Sequence, residues 1–329
     1  MNVPQPLLVV RSLYLEINSP TGALTLVNGV ELTVNAGEIV GLVGESGCGK
    51  SLTVMSILGL HQTPLRVSSG SILLNGQELV CASEKQLRQL RGKTVAMIFQ
   101  DPSQALNTVL TIETQMIEAL TAHRRISTKE ARALALEALV KVGITGAAER
   151  LRAYPHQLSG GMRQRVAIAI AMLNSPQLII ADEATTALDV TIQAQILHQV
   201  QSLCRAANTA LLWITHDLSV VGALADRVCV MYAGQVVENG PVQAVLSAPR
   251  HPYTAALLAA SSAARDAEGR WNDIPGMPPD PSQRPSGCAF HPRCAFARPM
   301  CNETAPKPSE GSHTVSCFYP LNQDSSDAE

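Results

Sequence analysis

The sequence predicts an α/β protein: a parallel sheet covered by helices on both faces, an antiparallel β piece before it and a small cysteine-rich appendage after it. Three observations carry that expectation. Leu178-Ile179-Ile180-Ala181 and Ala210-Leu211-Leu212-Trp213-Ile214 are wholly apolar runs separated by helical sequence, Ile192 to Ala206, as strands buried on both faces are. Glu38 to Val43 is a third such run, and it breaks at a glycine-rich turn followed by helix-like sequence, Ser51 to Leu60. Beyond Arg250 the periodicity stops: prolines crowd the stretch from Pro275 to Pro320, and four cysteines fall within it.

The elements follow in order. Residues Leu7 to Val34 alternate apolar and polar side chains, with Leu13, Leu15 and Ile17 and then Val30, Leu32 and Val34 on one face, the pattern of antiparallel strands with one wet side. Ser71 to Gly76 reads as a strand ending in an Asn-Gly turn. Val95 to Phe99 is a short buried strand that ends at Gln100. Helical spacing then takes over at Ile112 to Ala122 and at Thr128 to Val142, with apolar residues such as Leu134, Ala138 and Val142. Asp101 to about Ala153 is therefore a helical insertion. A helix from Gly161 to Leu173 stops before Pro176. The appendage is too proline-rich to continue the sheet.

Composition narrows the function classes. A chain of 329 residues with 46% apolar content supports about two domains. A formal charge of −2 creates no basic field, which argues against nucleic acid as a partner. No run of about 18 apolar residues is present, so no segment is expected to span a bilayer. Met1 to Pro6 lacks the basic and apolar regions of a signal peptide. The expectation is a cytosolic protein whose eight cysteines are reduced thiols or metal ligands.

The chemistry starts at Gly44-Glu45-Ser46-Gly47-Cys48-Gly49-Lys50-Ser51, spelled G-x-x-x-x-G-K-S, the phosphate-binding loop. Glycines let backbone N–H groups converge on phosphates, and the following helix adds its positive N-terminal end. Lys50 reaches the β- and γ-phosphates of a nucleoside triphosphate, and the Ser51 hydroxyl ligates Mg²⁺. A bare glycine-rich turn would bind nothing, but the strand before and helix after give this one the right context. Asp182 and Glu183 end an apolar strand. Asp182 is placed to hold Mg²⁺ and Glu183 to polarise the attacking water as general base. Leu158-Ser159-Gly160-Gly161-Met162 opens a helix that Ser159 can cap, and its paired glycines expose N-terminal amides to an anion.

Together with Gln100, Ala187-Leu188-Asp189 and His216, these stretches resemble, in order over residues 7 to 250, the nucleotide-binding subunit of an ATP-binding cassette (ABC) transporter. The resemblance implies an ABC-type P-loop NTPase fold with a RecA-like parallel core, an antiparallel β subdomain and a helical subdomain. It makes Gln100 the glutamine that touches Mg²⁺ and water. Ser159, Gly160 and Gly161 become the signature motif facing ATP on an opposite subunit. Asp189 becomes the residue that links the two sites, and His216 the switch histidine at the γ-phosphate. It also implies ATP and Mg²⁺ as ligands and head-to-tail dimerisation. Two positions depart from the family. No aromatic residue for adenine stacking lies in Ile17 to Leu24, Tyr14 being the nearest, and Ala184 stands where proline is usual.

Cys288, Cys294, Cys301 and Cys317 are separated by five, six and fifteen residues. Four thiolates satisfy a [4Fe–4S] cluster or a tetrahedral Zn²⁺; C-x-x-C pairs are absent, and His291 keeps a Cys/His zinc site open. Cys48, Cys81, Cys204 and Cys229 read as small buried or incidental residues. With His251-Pro252-Tyr253-Thr254, Ile274-Pro275-Gly276 and Pro292-Arg293-Cys294, the appendage resembles the C-terminal region of oligopeptide/dipeptide importer ATPases, most closely the D-type subunit.

That resemblance implies an iron–sulfur cluster on the four cysteines. It also implies a paralogous ATPase partner, two transmembrane permease subunits and an extracytoplasmic substrate-binding protein, at the cytoplasmic face of a bacterial inner membrane. Permease helices would dock on the region from Gln100 to Ala122. The expected domains are 1–250, nucleotide-binding with a helical subdomain at about 101–173, and 251–329 with the cysteine site. The expected function is an ATPase powering di- or oligopeptide import. Alternatives are the same machinery importing nickel or opine-type chelates, or a soluble regulatory ABC ATPase with an Fe–S sensor tail. Because the phosphate loop is assigned to another domain, Cys294→Ser is expected to strip the tail metal and spare ATP binding.

Overall fold

The computed structural model describes residues 5–19, 22–184, 189–261 and 273–322. They fold as two compact units, one drawn from residues 1–34, 39–81 and 215–329 and the other from 35–38 and 82–214. Among the described residues the strands are β1 (Leu8–Ser19), β2 (Gly22–Val34), β3 (Ile39–Val43), β4 (Leu65–Leu74), β5 (Gln77–Glu78), β6 (Val95–Ile98), β7 (Leu178–Asp182), β8 (Ala210–Thr215), β9 (Arg227–Tyr232), β10 (Gln235–Pro241) and β11 (Thr314–Val315).

The first unit contains the expected antiparallel piece, in strand order β2-β1-β4-β5. Its alternation is real but changes parity within β1. Leu8 and Val10 are buried, then Leu13 and Leu15, because the register slips between Val10 and Leu13 where Ser12 takes φ 43°. A bulge of this kind re-aims every later side chain. The Asn-Gly turn is present, with Asn75 at φ 51° and Gly76 at φ 76°, the two left-handed residues that a tight hairpin needs. Tyr14 belongs to β1, paired with Asn28 and Ser69.

A second layer of this unit is mixed. β3 runs parallel to β9, β9 antiparallel to β10, and β10 antiparallel to β11. The expectation that the appendage does not continue the sheet is overturned here, since Thr314 and Val315 pair with Asn239 and Glu238. Pro281, Pro292 and Pro299 sit in short helices, and the stretch between Pro308 and Pro320 is free of proline, so the Ser316 N–H can donate to the Val237 carbonyl at 2.8 Å along that edge.

The second unit holds β6, β7 and β8 side by side and parallel, with Val95 opposite Leu178 and Leu178 opposite Ala210. All residues of β7 and β8 are buried, as the apolar runs required. Its long helices are Ile112–Thr121, Thr128–Lys141, Gly160–Met172 and Val190–Ala207, each within two residues of its expected bounds. Thr111, Ser127, Ser159 and Asp189 cap them, each accepting from the backbone N–H three residues on. On Thr128–Lys141 the buried stripe is Ala131, Ala135 and Leu139; of the expected positions Val142, just past the helix, is buried, while Leu134 and Ala138 are half-buried. Among the described residues no helix is long and apolar enough to cross a membrane.

Candidate functional site

In the first unit, β3 is buried throughout and delivers the chain at Val43 to the loop 44–49. Gly47 (φ 79°) and Gly49 (φ 101°) take left-handed conformations that a side chain would strain. Gly49 is the N-cap of the helix Lys50–Ile57. Lys50 is 5% exposed, and its Nζ donates to the carbonyls of Gly44 (2.7 Å) and Glu45 (3.0 Å). A buried ammonium held by backbone carbonyls is ready to exchange them for phosphate oxygens. Ser51 is exposed on the first helical turn. Cys48 is buried beneath the loop, and burial pushes its thiol up despite the neighbouring Lys50, in keeping with a small core residue. His216 is exposed immediately after Thr215.

In the second unit, the structure brings Gln100 and Glu183 together: Gln100 Nε2 donates to Glu183 Oε2 at 3.2 Å. Glu183 follows the buried Asp182 and adopts φ 45°, left-handed for a residue with a full side chain. Its N–H donates to the Ile214 carbonyl at 3.0 Å, so the neighbouring strand end holds the kink in place. Backbone strain of this sort is kept where geometry matters. Ala184 is 2% exposed. Ser159 Oγ accepts from the Met162 N–H at 3.3 Å. Ser159 and Gly160 are exposed, leaving the start of this helix open. Gly161 approaches Ile192, whose methyl would sit 3.3 Å from an added Cβ. Asp189 caps the next helix, accepting from Ile192 N–H at 3.0 Å. Ala187 and Leu188 lie outside the described residues.

The cysteine region belongs to the same unit as the phosphate loop. Cys288, Cys294, Cys301 and Cys317 line one small cavity of about 20 Å³, together with His251, His291 and Phe290. Burial pushes the Cys288 and Cys294 thiols up and Cys317 to about 11. A bound metal group would therefore displace protons from them. His251 is fully buried and neutral, its value driven down to about 3 by burial. Its Nδ1 accepts from the Tyr253 N–H at 3.0 Å, which puts the proton on Nε2, and that buried donor has no partner among the described residues. Among the described residues no three His, Cys, Asp or Glu side chains form a ready site for an ion. The four sulfurs border a shared space.

Several residues on which the site depends were not singled out from sequence. Glu238, 1% exposed, accepts from the Arg250 N–H (2.7 Å), the His251 N–H (2.9 Å) and His313 Nε2 (2.7 Å). It thereby fastens both ends of the C-terminal segment to β10. Arg293 and Tyr253 both reach Glu45 of the phosphate loop. The expected separation of the cysteine region from that loop therefore loses its premise: Arg293, next to Cys294, is bonded to it. Only the fixed texts around His251 and Cys294 hinted at these residues; no spacing pattern announces them.

Residues 27–186 match the ABC transporter family and residues 237–301 the oligopeptide/dipeptide transporter C-terminal region. A putative peptide import ATP-binding protein of Brucella abortus (strain 2308) is 46% identical over 301 residues, 92% of this chain and 91% of that protein. The oligopeptide transport ATP-binding protein AppD of Bacillus subtilis (strain 168) is 48% identical over 295 residues, 89% and 90% of the two chains. This chain belongs to the ABC transporter ATP-binding family. The dimeric ATP-binding cassette MJ0796, solved with ADP and Pi after hydrolysis, superposes on this ABC protein with a TM-score of 0.64. It is 26% identical and covers 71% of this chain and 98% of its own. That share agrees with a cassette followed by an added C-terminal region, and the ABC protein keeps the family's α/β fold with its mixed sheets.

Proposed function

We propose that this chain is the ATP-hydrolysing subunit of an importer that draws di- or oligopeptides through membrane permease partners. The observation that carries the reading is the pairing, in one chain, of a cassette match at 27–186 with an oligopeptide-transporter match at 237–301. Relatives bearing peptide-import names support it along almost their whole length. In this reading Lys50 and the amides of Gly44 to Gly49 take the phosphates, and Ser51, Gln100 and Asp182 take Mg²⁺. Glu183 is the general base, His216 the γ-phosphate contact, and Ser159 to Gly161 with Asp189 serve the site of a second ATPase. That partner is a paralogue, and both attach peripherally at the cytoplasmic face of the inner membrane. Residues 1–250 act as the cassette and 251–329 as its appended module.

The cargo test uses cells whose chromosomal copy carries Lys50→Ala. Uptake of a labelled dipeptide or pentapeptide should fall to background while nickel uptake holds. The reverse pattern would transfer the assignment to metal-chelate import, and no change in either would leave a regulatory ATPase.

The cysteine cavity supports a [4Fe–4S] group on Cys288, Cys294, Cys301 and Cys317. All four border one space, and the Nε2–H of His251, partnerless among the described residues, is a donor of the sort that tunes thiolate-bound metal groups. Such a group supplies a redox-active iron centre. Anaerobic purification followed by visible absorption and iron and zinc analysis should give iron with a broad band near about 400 nm, from thiolate-ligated iron. Zinc without colour would make the site a tetrahedral staple, and neither metal would remove the assignment.

A further inference from the structure

The phosphate loop is gripped from the C-terminal segment at one residue, Glu45. Its carboxylate takes two parallel bonds from Arg293, Nη1 to Oε2 at 2.7 Å and Nη2 to Oε1 at 3.0 Å. Its backbone N–H donates to the Tyr253 hydroxyl at 2.9 Å, and its carbonyl accepts from Lys50 Nζ at 3.0 Å. The remaining donors of Arg293 reach Tyr232 Oη (3.3 Å) and the carbonyls of Ile274 (3.4 Å) and Pro275 (2.8 Å). A guanidinium has five N–H groups in a rigid fork, and here each finds an acceptor.

Electrostatically, Glu45 is out of place. A loop that collects a triphosphate works through N–H groups, a helix N-terminus and a lysine, all positive in effect. A carboxylate one residue after Gly44 opposes the incoming charge. Arg293 cancels it with the planar two-point geometry that a lysine cannot supply. Its side chain is only 4% exposed and that of Glu45 24%, so water screens the pair only in part.

We propose that Arg293 is a positioning residue of the nucleotide site: it holds and neutralises Glu45, so that the loop keeps the shape and potential a nucleoside triphosphate needs. The proposal rests on the reading of residues 44–51 as the ATP loop. It also ties the segment bearing Cys288 and Cys294 to nucleotide affinity, since Arg293 lies between them.

The test is a double-mutant cycle on the full-length protein, with calorimetric affinity for a non-hydrolysable ATP analogue in Mg²⁺ as the readout. In the parent background Arg293→Met should weaken binding by about tenfold, the effect of leaving a half-buried carboxylate unpaired beside the incoming phosphates. In a Glu45→Gln background the same change should weaken it by less than about threefold, because no charge is left to strand. Arg293→Lys should fall between, and it stands in should the methionine variant melt before binding is measured. Equal losses in both backgrounds would reduce Arg293 to packing and overturn the proposal, as would parent-like binding by Arg293→Met and Arg293→Lys. Failure of the parent itself to bind the analogue would instead overturn the ATP assignment of the loop.

Discussion

Glu183→Gln is expected to lower ATP turnover by about 10²- to 10⁴-fold, the usual contribution of a positioned general base, with ATP affinity close to the parent's. The amide preserves shape and can still meet Gln100, which stands 3.2 Å away, but it cannot take a proton from water. A second substitution separates chemistry from structure. Glu183 sits at φ 45°, where a side chain costs about 1–2 kcal/mol and glycine costs nothing. Glu183→Gly should therefore be as stable as the parent or slightly more so while losing the same turnover, because strain is relieved as function is removed. Phosphate release and thermal melting measure the two quantities on one preparation. Turnover by Glu183→Gln at the parental rate would exclude Glu183 as the base. A melting temperature well below the parent's for Glu183→Gly would show that the kink stores no strain.

Gly44→Ala should damage the phosphate loop severely for a single added methyl group. A Cβ there would lie 2.1 Å from the Met231 carbonyl oxygen and 2.8 Å from Cys48 Sγ. The first obstacle is backbone in β9, which is hydrogen-bonded on both sides to β3 and β10 and cannot swing aside as a side chain could. The loop must move instead, and displacement of a binding loop by about 1 Å can cost about 10²-fold. ATP affinity should fall on that scale, with a loss of about 1–3 kcal/mol in stability from overpacking. Titration with a fluorescent ATP analogue and a urea melt would measure both. Gly47→Ala makes the contrast: an added Cβ meets nothing within 4 Å, and only its φ of 79° is unfavourable, so its loss should be smaller. Equal effects at the two positions would refute the steric argument.

Much of this arrangement was legible before any coordinates, because it is encoded locally. Apolar runs placed β6, β7 and β8, and helical spacing placed four helix starts to within two residues, one of them with its Ser159 cap. The G-x-x-x-x-G-K-S spelling located Lys50 at a helix N-terminus, and the Ser159 cap was readable from its place just before the paired glycines that open a helix. Where local reading failed, a distant partner or a backbone irregularity was responsible. The parity change in β1 came from a bulge at Ser12. The sheet edge was extended by a proline-free pair inside a segment that composition marked as too proline-rich to continue the sheet. The buried stripe of Thr128–Lys141 was set by what its neighbours cover, which a helical period alone leaves open by one position.

By itself, the sequence determined the α/β class, the order of β1 to β4 and β6 to β8 with the long helices among them, the nucleotide loop and the four-cysteine set. Each depends on residue type and spacing within a short window, and backbone propensity, side-chain periodicity and glycine freedom act at that range. Tertiary structure alone decided which distant groups meet. Gln100 and Glu183 are 83 residues apart and become neighbours because β6 and β7 lie side by side. Glu45 and Arg293 are 248 residues apart and meet because Glu238 anchors the C-terminal segment against β10. The left-handed turn at Glu183 is imposed by a bond to the end of β8. A charged side chain carries no mark of its eventual partner; sheet register and packing assign one, and here they bind the cysteine segment to the loop that holds phosphate.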